Sequence, residues 1–379
     1  MHDEMKRWRR HLHAHPELGF HEFGTSDFVA DKLAAFGCTV HRGIGGTGLV
    51  GTLRTGTGAR TLGLRADMDA LPIEEKNDFE HRSKYPGRMH ACGHDGHTTM
   101  LLGAAKYLCE TRRFQGTVHF IFQPAEEGLG GARAMLADKL FERFPCDAIF
   151  AMHNRPSLPR GRFAVGSGPV LAAGASFDIH VKGKGTHGAR PEAGIDPVMV
   201  ASHIAIALQT IVSRNMPPVE TAVLSVTRIQ AGDAYNVTPQ TASLAGTARA
   251  FSREAMALIE SSMRRVCSGV AAAFGATVEV AFNLQFAPTV NDPSQAEVAA
   301  QICKAIVGPE NVDCRPKPLM ASEDFSFMLE KIPGCYVLIG TGAPGGSCEV
   351  HNPAYDFNDG ALPLGAAFFA RLVEDQLRF

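Results

Sequence analysis

The sequence predicts an α/β protein. Its larger domain is expected to be a mixed, mostly parallel sheet with helices on both faces, interrupted by an inserted ferredoxin-like βαββαβ domain. Three observations predict this. Nearly continuous apolar runs at 117–122, 147–152 and 335–340 read as strands buried on both faces, as in parallel sheets. Helical stretches alternate with them, which implies an α/β layer architecture. Between 172 and 286 the rhythm changes to strand, helix, strand, strand, helix, strand. The expected boundaries are 1–171 with 287–379 for the larger domain, and 172–286 for the insert.

In chain order, a helix over the first residues gives way to a loop at Pro16, and residues 22–36 read as an amphipathic helix ended by Gly37. Histidines 11, 13 and 15 fall at the first of these transitions and read as structural or rim residues. Strands follow at 38–42, 48–53 and 61–66, the last running into Asp67-Met-Asp69. Two aspartates at i and i+2 on an extended segment point the same way, and serve either a metal site or a loop cap. An apolar helix is expected over 98–108. In the insert, the strand 175–182 precedes a helix opened by Asp196 as N-cap and Pro197 at its first turn. Strands 221–230 and 241–251, helix 253–274 and strand 276–286 complete it.

Composition narrows the function classes. A net charge of −2 argues against a nucleic-acid groove or a basic membrane face. The start of the chain carries basic residues without an apolar segment behind them, so no secretory signal is read there, and no run of about 18 apolar residues stands out. Nine cysteines, scattered without a CxxC pair, suggest reduced cytoplasmic thiols, eight of them small buried hydrophobes.

Cys92 is the exception. It lies in His90-Ala-Cys92-Gly-His94-Asp-Gly-His97, which places three histidines, a cysteine and an aspartate in eight residues, with glycines that let the backbone bend. Gln123-Pro-Ala-Glu126-Glu127, Ala151-Met-His153-Asn and Glu349-Val-His351-Asn each follow or lie near an apolar run and offer a carboxylate or an imidazole. Sites in open α/β sheets lie outside the carboxyl ends of strands. The candidate ligands are Cys92, His94, Glu127, His153 and His351, the donor types that borderline-soft divalent metals prefer. Five donors exceed what one tetrahedral ion needs, so two divalent ions fit better. Glu126, beside a ligand but redundant as one, suits a general base acting on metal-activated water. Asp69 suits a carboxylate that holds a ligand in place. The chain has no GxSxG elbow and no convincing phosphate loop. In the insert, His187, Asn236 and Arg249 stand out in polar loops or at strand ends; by residue type alone each reads more readily as structural.

Taken together, His13-Ala-His-Pro-Glu17, Arg65-Ala-Asp-Met-Asp-Ala-Leu-Pro72, His90-Ala-Cys-Gly-His-Asp95, Gln123-Pro-Ala-Glu-Glu127, Ser322-Glu-Asp-Phe325 and Val350-His-Asn-Pro353 resemble the metal-dependent aminoacylase and carboxypeptidase family. The resemblance is to its branch of hippurate hydrolases, N-acyl-amino-acid amidohydrolases and auxin-conjugate hydrolases, and spans nearly the whole chain. It implies two divalent ions per subunit, Zn or Mn with Co or Ni also suitable, and catalytic Glu126. It also implies that the insert is a lid that dimerises the protein. His187 would then reach the partner subunit's site, and Asn236 and Arg249 would bind substrate. Many relatives place a His-x-Asp ligand motif where this chain has Asp67-Met-Asp69. The expected protein is a cytoplasmic homodimer, or dimer-based tetramer, that hydrolyses N-acyl amino acids and binds neither nucleic acid nor membrane. A dipeptidase or N-carbamoyl amino-acid hydrolase on the same scaffold is the enzyme alternative; a non-catalytic metal or ligand binder would have no use for Glu126.

Overall fold

The computed structural model describes residues 1–343 and 346–378. The chain divides into two compact units. The first gathers Met1–Val170, Val290–Lys317 and Asp324–Phe379; the second gathers Leu171–Thr289 and Pro318–Glu323. The short segment Pro318–Glu323 was expected in the first unit. It joins the second because the Ala172 N–H donates to the carbonyls of Leu319 and Ala321.

The first unit contains helices α1 (His2–Ala14), α2 (Phe23–Phe36) and α3 (His94–Thr111). Its first six strands are β1 (Thr39–Ile44), β2 (Gly48–Thr55), β3 (Thr61–Asp67), β4 (Gly116–Gln123), β5 (Ala148–Pro159) and β6 (Phe163–Ala164). The eight-stranded sheet runs β1, β2, β4, β3, β5, Gly334–Gly342, β6, Val312–Asp313. Its centre, from β4 through β3 and β5 to Gly334–Gly342, is parallel. β1 and β2 extend one side antiparallel, and β6 lies antiparallel to Gly334–Gly342 on the other. All eight residues of β4 are buried, as the apolar run predicts for a central parallel strand. The last two strands in the order, β6 and the edge strand Val312–Asp313, have two residues each and carry no sequence pattern of their own.

The second unit has the expected order. Strands Ala173–Lys182, Ala222–Ala231, Thr241–Ala250 and Thr277–Phe286 form a four-stranded antiparallel sheet with Thr241–Ala250 and Ala173–Lys182 in the middle. Helices Pro197–Thr210 and Arg253–Ala273 share one apolar core with it. Asp196 and Ser252 cap them through side-chain oxygens that accept from the Val198 and Ala255 N–H groups. By length and composition, the span Pro197–Asn215 is apolar enough to cross a membrane, which the sequence reading did not anticipate. Here it buries Val200, Ala201, Ile204, Leu208 and Ile211 in the unit's own core.

The nine cysteines are free thiols; Cys314 and Cys348 are exposed, so the expectation of eight buried ones fails at two positions.

Histidine 13 is not a rim residue. It is fully buried, with Nδ1 bonded to Asp95 at 2.8 Å and Nε2 to Glu75 at 3.1 Å. One helical turn earlier, the fully buried Arg9 pairs with Asp356 at 2.7 Å and Asp359 at 2.6 Å, and lies 3.8 Å from Asp95. A buried charge is tolerated only with such partners. Burial disfavours the His13 imidazolium, but bonds to Asp95 and Glu75 outweigh it and raise its pKa to about 9. A histidine raised from 6.5 to about 9 adds stability that is complete below pH 6.5 and lost as pH rises through 9. The span corresponds to about 3 kcal/mol at most. With a chelator present throughout, unfolding free energy should therefore fall between pH 6.5 and 9, and this slope should flatten in His13→Gln. Equal slopes in both proteins would refute the assignment.

Candidate metal centre and active site

Helix α3 begins four residues before the expected 98–108 span, so His94 and His97 are not on a bend but one turn apart on a helix face. Gly93 makes the sharp entry: its φ is 96°, and a Cβ there would lie 2.2 Å from Asn154 Oδ1. Gly96 sits inside the helix because the Phe357 ring occupies its side-chain space, 2.3 Å from where a Cβ would be.

Facing these histidines are the two aspartates at the end of β3, both buried. Asp67 Oδ1 accepts from His97 Nδ1 at 2.7 Å, and Asp69 Oδ1 from His94 Nδ1 at 3.1 Å. Asp69 Oδ2 also accepts the Glu127 N–H at 3.0 Å, whereas Asp67 Oδ2 accepts from Arg65 Nη1 at 2.8 Å. Asp69 therefore stands behind two candidate ligands, and Asp67 behind none with which it shares a hydrogen bond. Burial works against the Asp67 carboxylate, yet His94, Arg65 and His97 hold its pKa well below the usual range.

The donor atoms converge. Cys92 Sγ, His94 and His153 offer ligand atoms within 4.8 Å of one another, and so do Cys92, Glu127 and His351. His94, Glu126 and Glu127 form a third such group. Cys92 belongs to the first two. Its Sγ lies 3.4 Å from His153 Nε2, whose ring donates through Nδ1 to the Asn154 carbonyl at 2.8 Å. His153 lies within β5 rather than past its end, but β3 pairs with β5 only as far as Ala151. His351 holds a left-handed φ of 65° and donates its N–H to the Ala91 carbonyl at 2.7 Å, beside Cys92.

These residues fit a divalent-metal centre. His94 Nε2 and Glu127 Oε1 are buried without hydrogen-bond partners, the Oε1 lying 3.3 Å from His351 Nε2. With Nδ1–H committed to Asp69, Nε2 is the His94 atom left to face an ion. Burial opposes the His94 imidazolium, but Asp67 and Cys92 hold its pKa well above 6.5, so an ion binding at Nε2 would displace a proton there. Burial and then Glu127 push the Cys92 thiol up, making metal binding a proton-releasing event. Burial and then His97 keep His153 neutral.

In the second unit, His187 and Asn236 lie together: Thr186–His187 pairs with Val237–Thr238, and the Gly188 N–H donates to the Asn236 carbonyl at 2.7 Å. Both residues are exposed. Arg249 is half-buried near the far end of Thr241–Ala250, its Nη1 donating to Ser322 Oγ at 2.9 Å. At about 3.3 Å per residue, the strand puts Arg249 roughly 25 Å from Asn236. One chain does not bring them onto the same substrate group.

The signature of peptidase family M20/M25/M40 matches residues 63–375. The chain belongs to this family. It is 41% identical over 375 residues to a hippurate hydrolase of Campylobacter jejuni, covering 99% of this chain and 97% of that one. It is 39% identical to an IAA-amino acid hydrolase of Arabidopsis thaliana, covering 99% of this chain and 86% of that one. The crystal structure of a dinuclear metal binding M20 peptidase of Bacillus subtilis superposes with a TM-score of 0.86 at 35% identity, covering 99% and 98% of the two chains. This M20 chain is a metal-dependent amidohydrolase.

The M20 site also contains residues the sequence reading passed over. His97 accepts the Asn154 N–H at 3.1 Å, and Asn154 Nδ2 donates to the Tyr355 hydroxyl at 2.9 Å. Arg65 Nε donates to Gln123 Oε1 at 2.8 Å, while Asp324 accepts from Gln123 Nε2 at 2.7 Å and the Ala132 N–H at 2.9 Å. Apart from Tyr355, which lies outside them, the only sequence signals were their places inside the quoted motifs.

Asp69→Asn puts an amide nitrogen against either the His94 or the Glu127 N–H. Loss of such a partner weakens metal binding by about 10- to 100-fold. Competition against a chromophoric chelator reads this directly, and unchanged affinity would remove Asp69 from the role.

Proposed function

We propose that the protein hydrolyses the amide of N-acyl amino acids to a carboxylic acid and a free amino acid, using two divalent ions per subunit held by Cys92, His94, Glu127, His153 and His351. The observation that carries this is the membership of Cys92 in two ligand groups with Glu126 alongside. The relatives' substrates point to the same reaction class. Thiolate, imidazole and carboxylate together favour Zn or Mn, with Co or Ni within range. Bound there, the ions supply Lewis acidity toward water and the amide carbonyl.

Glu126, 6% exposed, accepts the proton of the attacking water and returns it to the departing nitrogen, so that the amine leaves neutral. Arg249 binds the substrate's α-carboxylate; guanidinium matches that group bidentately, and Ser322 steadies the head group. His187 donates to the carbonyl oxygen as it gains charge, with Asn236 at its side. The roughly 25 Å between Asn236 and Arg249 exceeds the reach of one small substrate. This supports a homodimer in which His187 and Asn236 serve the partner's site. The free thiols suit a cytoplasmic setting.

Glu126→Gln should lower kcat by about 10²- to 10⁴-fold on hippurate-like substrates. Two metals per subunit should remain by elemental analysis; a variant emptied of metal would make Glu126 a ligand instead. The dimer is tested by co-expressing His187→Ala with Glu126→Gln. Each protein alone should be nearly inactive, while hybrids purified by two tags should regain activity from one intact site. Inactive hybrids of verified composition would refute donation across subunits.

A further inference from the structure

We infer that Glu22 is a positioning residue for the catalytic base, acting through the backbone of Ala125. This rests on Glu126 being the base. The loop of residues 17–22, between α1 and α2, touches both segments that carry the acidic machinery. The Glu17 carbonyl accepts the Ala70 N–H at 2.8 Å, one residue beyond Asp69. Glu17's own side chain is occupied, its two oxygens accepting the Gly24 and Thr25 N–H groups at 3.0 and 2.7 Å at the start of α2. Four residues on from Leu18, which bridges Ala70, the chain turns the Glu22 side chain into the interior, where it is fully buried.

The direction of that carboxylate is the unusual feature. Glu22 Oε1 accepts the Ala125 N–H at 2.8 Å, and Oε2 accepts the Thr47 hydroxyl. Ala125 is fully buried and has a left-handed φ of 52°, which a residue with a Cβ adopts only when its surroundings require it. Gly19 presses on the same residue, since a Cβ on it would lie 3.0 Å from both Ala125 Cα and Ala125 Cβ. On the other side the Ala125 carbonyl accepts the Gly131 N–H at 3.0 Å. The next two residues are Glu126 and Glu127. Left-handed Ala125 thus sets the direction in which the chain leaves β4 to present the base and a ligand, and Glu22 is the acceptor that keeps it left-handed. Without it, a buried N–H has no partner and the strained conformation loses its support.

Glu22 touches neither substrate nor the reacting atoms in this reading, so its signature is a loss in kcat transmitted through Glu126. Glu22→Gln keeps an oxygen for the Ala125 N–H and should stay within about 3-fold of wild-type kcat. Glu22→Ala should lose about 10- to 100-fold in kcat, the order expected for a catalytic group displaced by an ångström. KM should stay within about 3-fold, with two metals retained per subunit and all assays run well below the melting temperature. The decisive measurement is the double variant. In a Glu126→Gln background, Glu22→Ala should cost little more, because the group it positions no longer accepts a proton. Full multiplication of the two losses would overturn the inference, as would an active Glu22→Ala or a Gln variant as poor as the Ala one. Should Glu22→Ala fail to fold, Glu22→Asp, whose shorter side chain draws the carboxylate back from Ala125, replaces it in the same cycle with the same expectations. A wild-type kcat in Glu126→Gln alone would break the base assignment instead, leaving the Gln-against-Ala comparison at position 22 to decide whether the loop is positioned.

Discussion

A buried imidazole that is to keep one lone pair for a metal must give its other N–H to an acceptor, and that acceptor must itself be held. Asp69 meets this for His94 and, through its second oxygen, fixes the Glu127 backbone. Its neighbour Asp67 accepts from His97 in the same way, although that ring gives its other lone pair to the Asn154 N–H, and the i, i+2 spacing on an extended chain matches the i, i+3 spacing on a helix. Because a carboxylate pair at the end of a buried strand is costly without countercharge, Arg65 is fully buried beside it. Arg65 in turn brings Gln123 and Asp324 into the interior. Much of the polar interior of the first unit can be followed outward from these two aspartates.

Behind α3 the same logic repeats. Asp95, adjacent to candidate ligand His94, is buried and accepts from His13, which bonds Glu75 as well. Arg9 ties this group to Asp356 and Asp359. The front of the helix carries the donor atoms and the back is anchored by charge, so that the His94 ring is located from both sides. Such support from surrounding hydrogen bonds is what gives metal sites their geometry.

What could be read from the sequence follows from how local each signal is. β4 declares itself because its apolar run Val118, Phe120, Ile121 and Phe122 is fully buried, and the candidate ligands stand out because thiol, imidazole and carboxylate are rare at strand ends. The start of α3 was hidden: His94-Asp-Gly-His97 has the composition of a turn, and the reason for Gly96, the Phe357 ring, lies over 250 residues away in the chain. Histidine 13 looked peripheral because Glu75 and Asp95, its partners, are likewise distant in sequence. Glu22 reads only as the first residue of the helix 22–36, where carboxylates are common, and nothing nearby indicates that its side chain turns inward to Ala125. Asn236 precedes the strand that carries Arg249, and the length of that strand separates the two.

The first unit is assembled from three separated stretches of chain, and this bears on how the protein is made. β5 emerges from the ribosome well before Gly334–Gly342, the parallel neighbour that covers its edge. At ordinary rates of synthesis the interval is roughly 10–40 seconds. Through that interval β3, β4 and β5 present an apolar sheet with an open side, the kind of edge that invites pairing with other chains. The intervening Leu171–Thr289 stretch has its own core and can fold meanwhile. His351 emerges later still, so the candidate ligand set is complete only in the finished chain. Chaperone dependence during translation is therefore expected to be concentrated in the window between residues 160 and 342, after which the sheet closes over its own exposed strand.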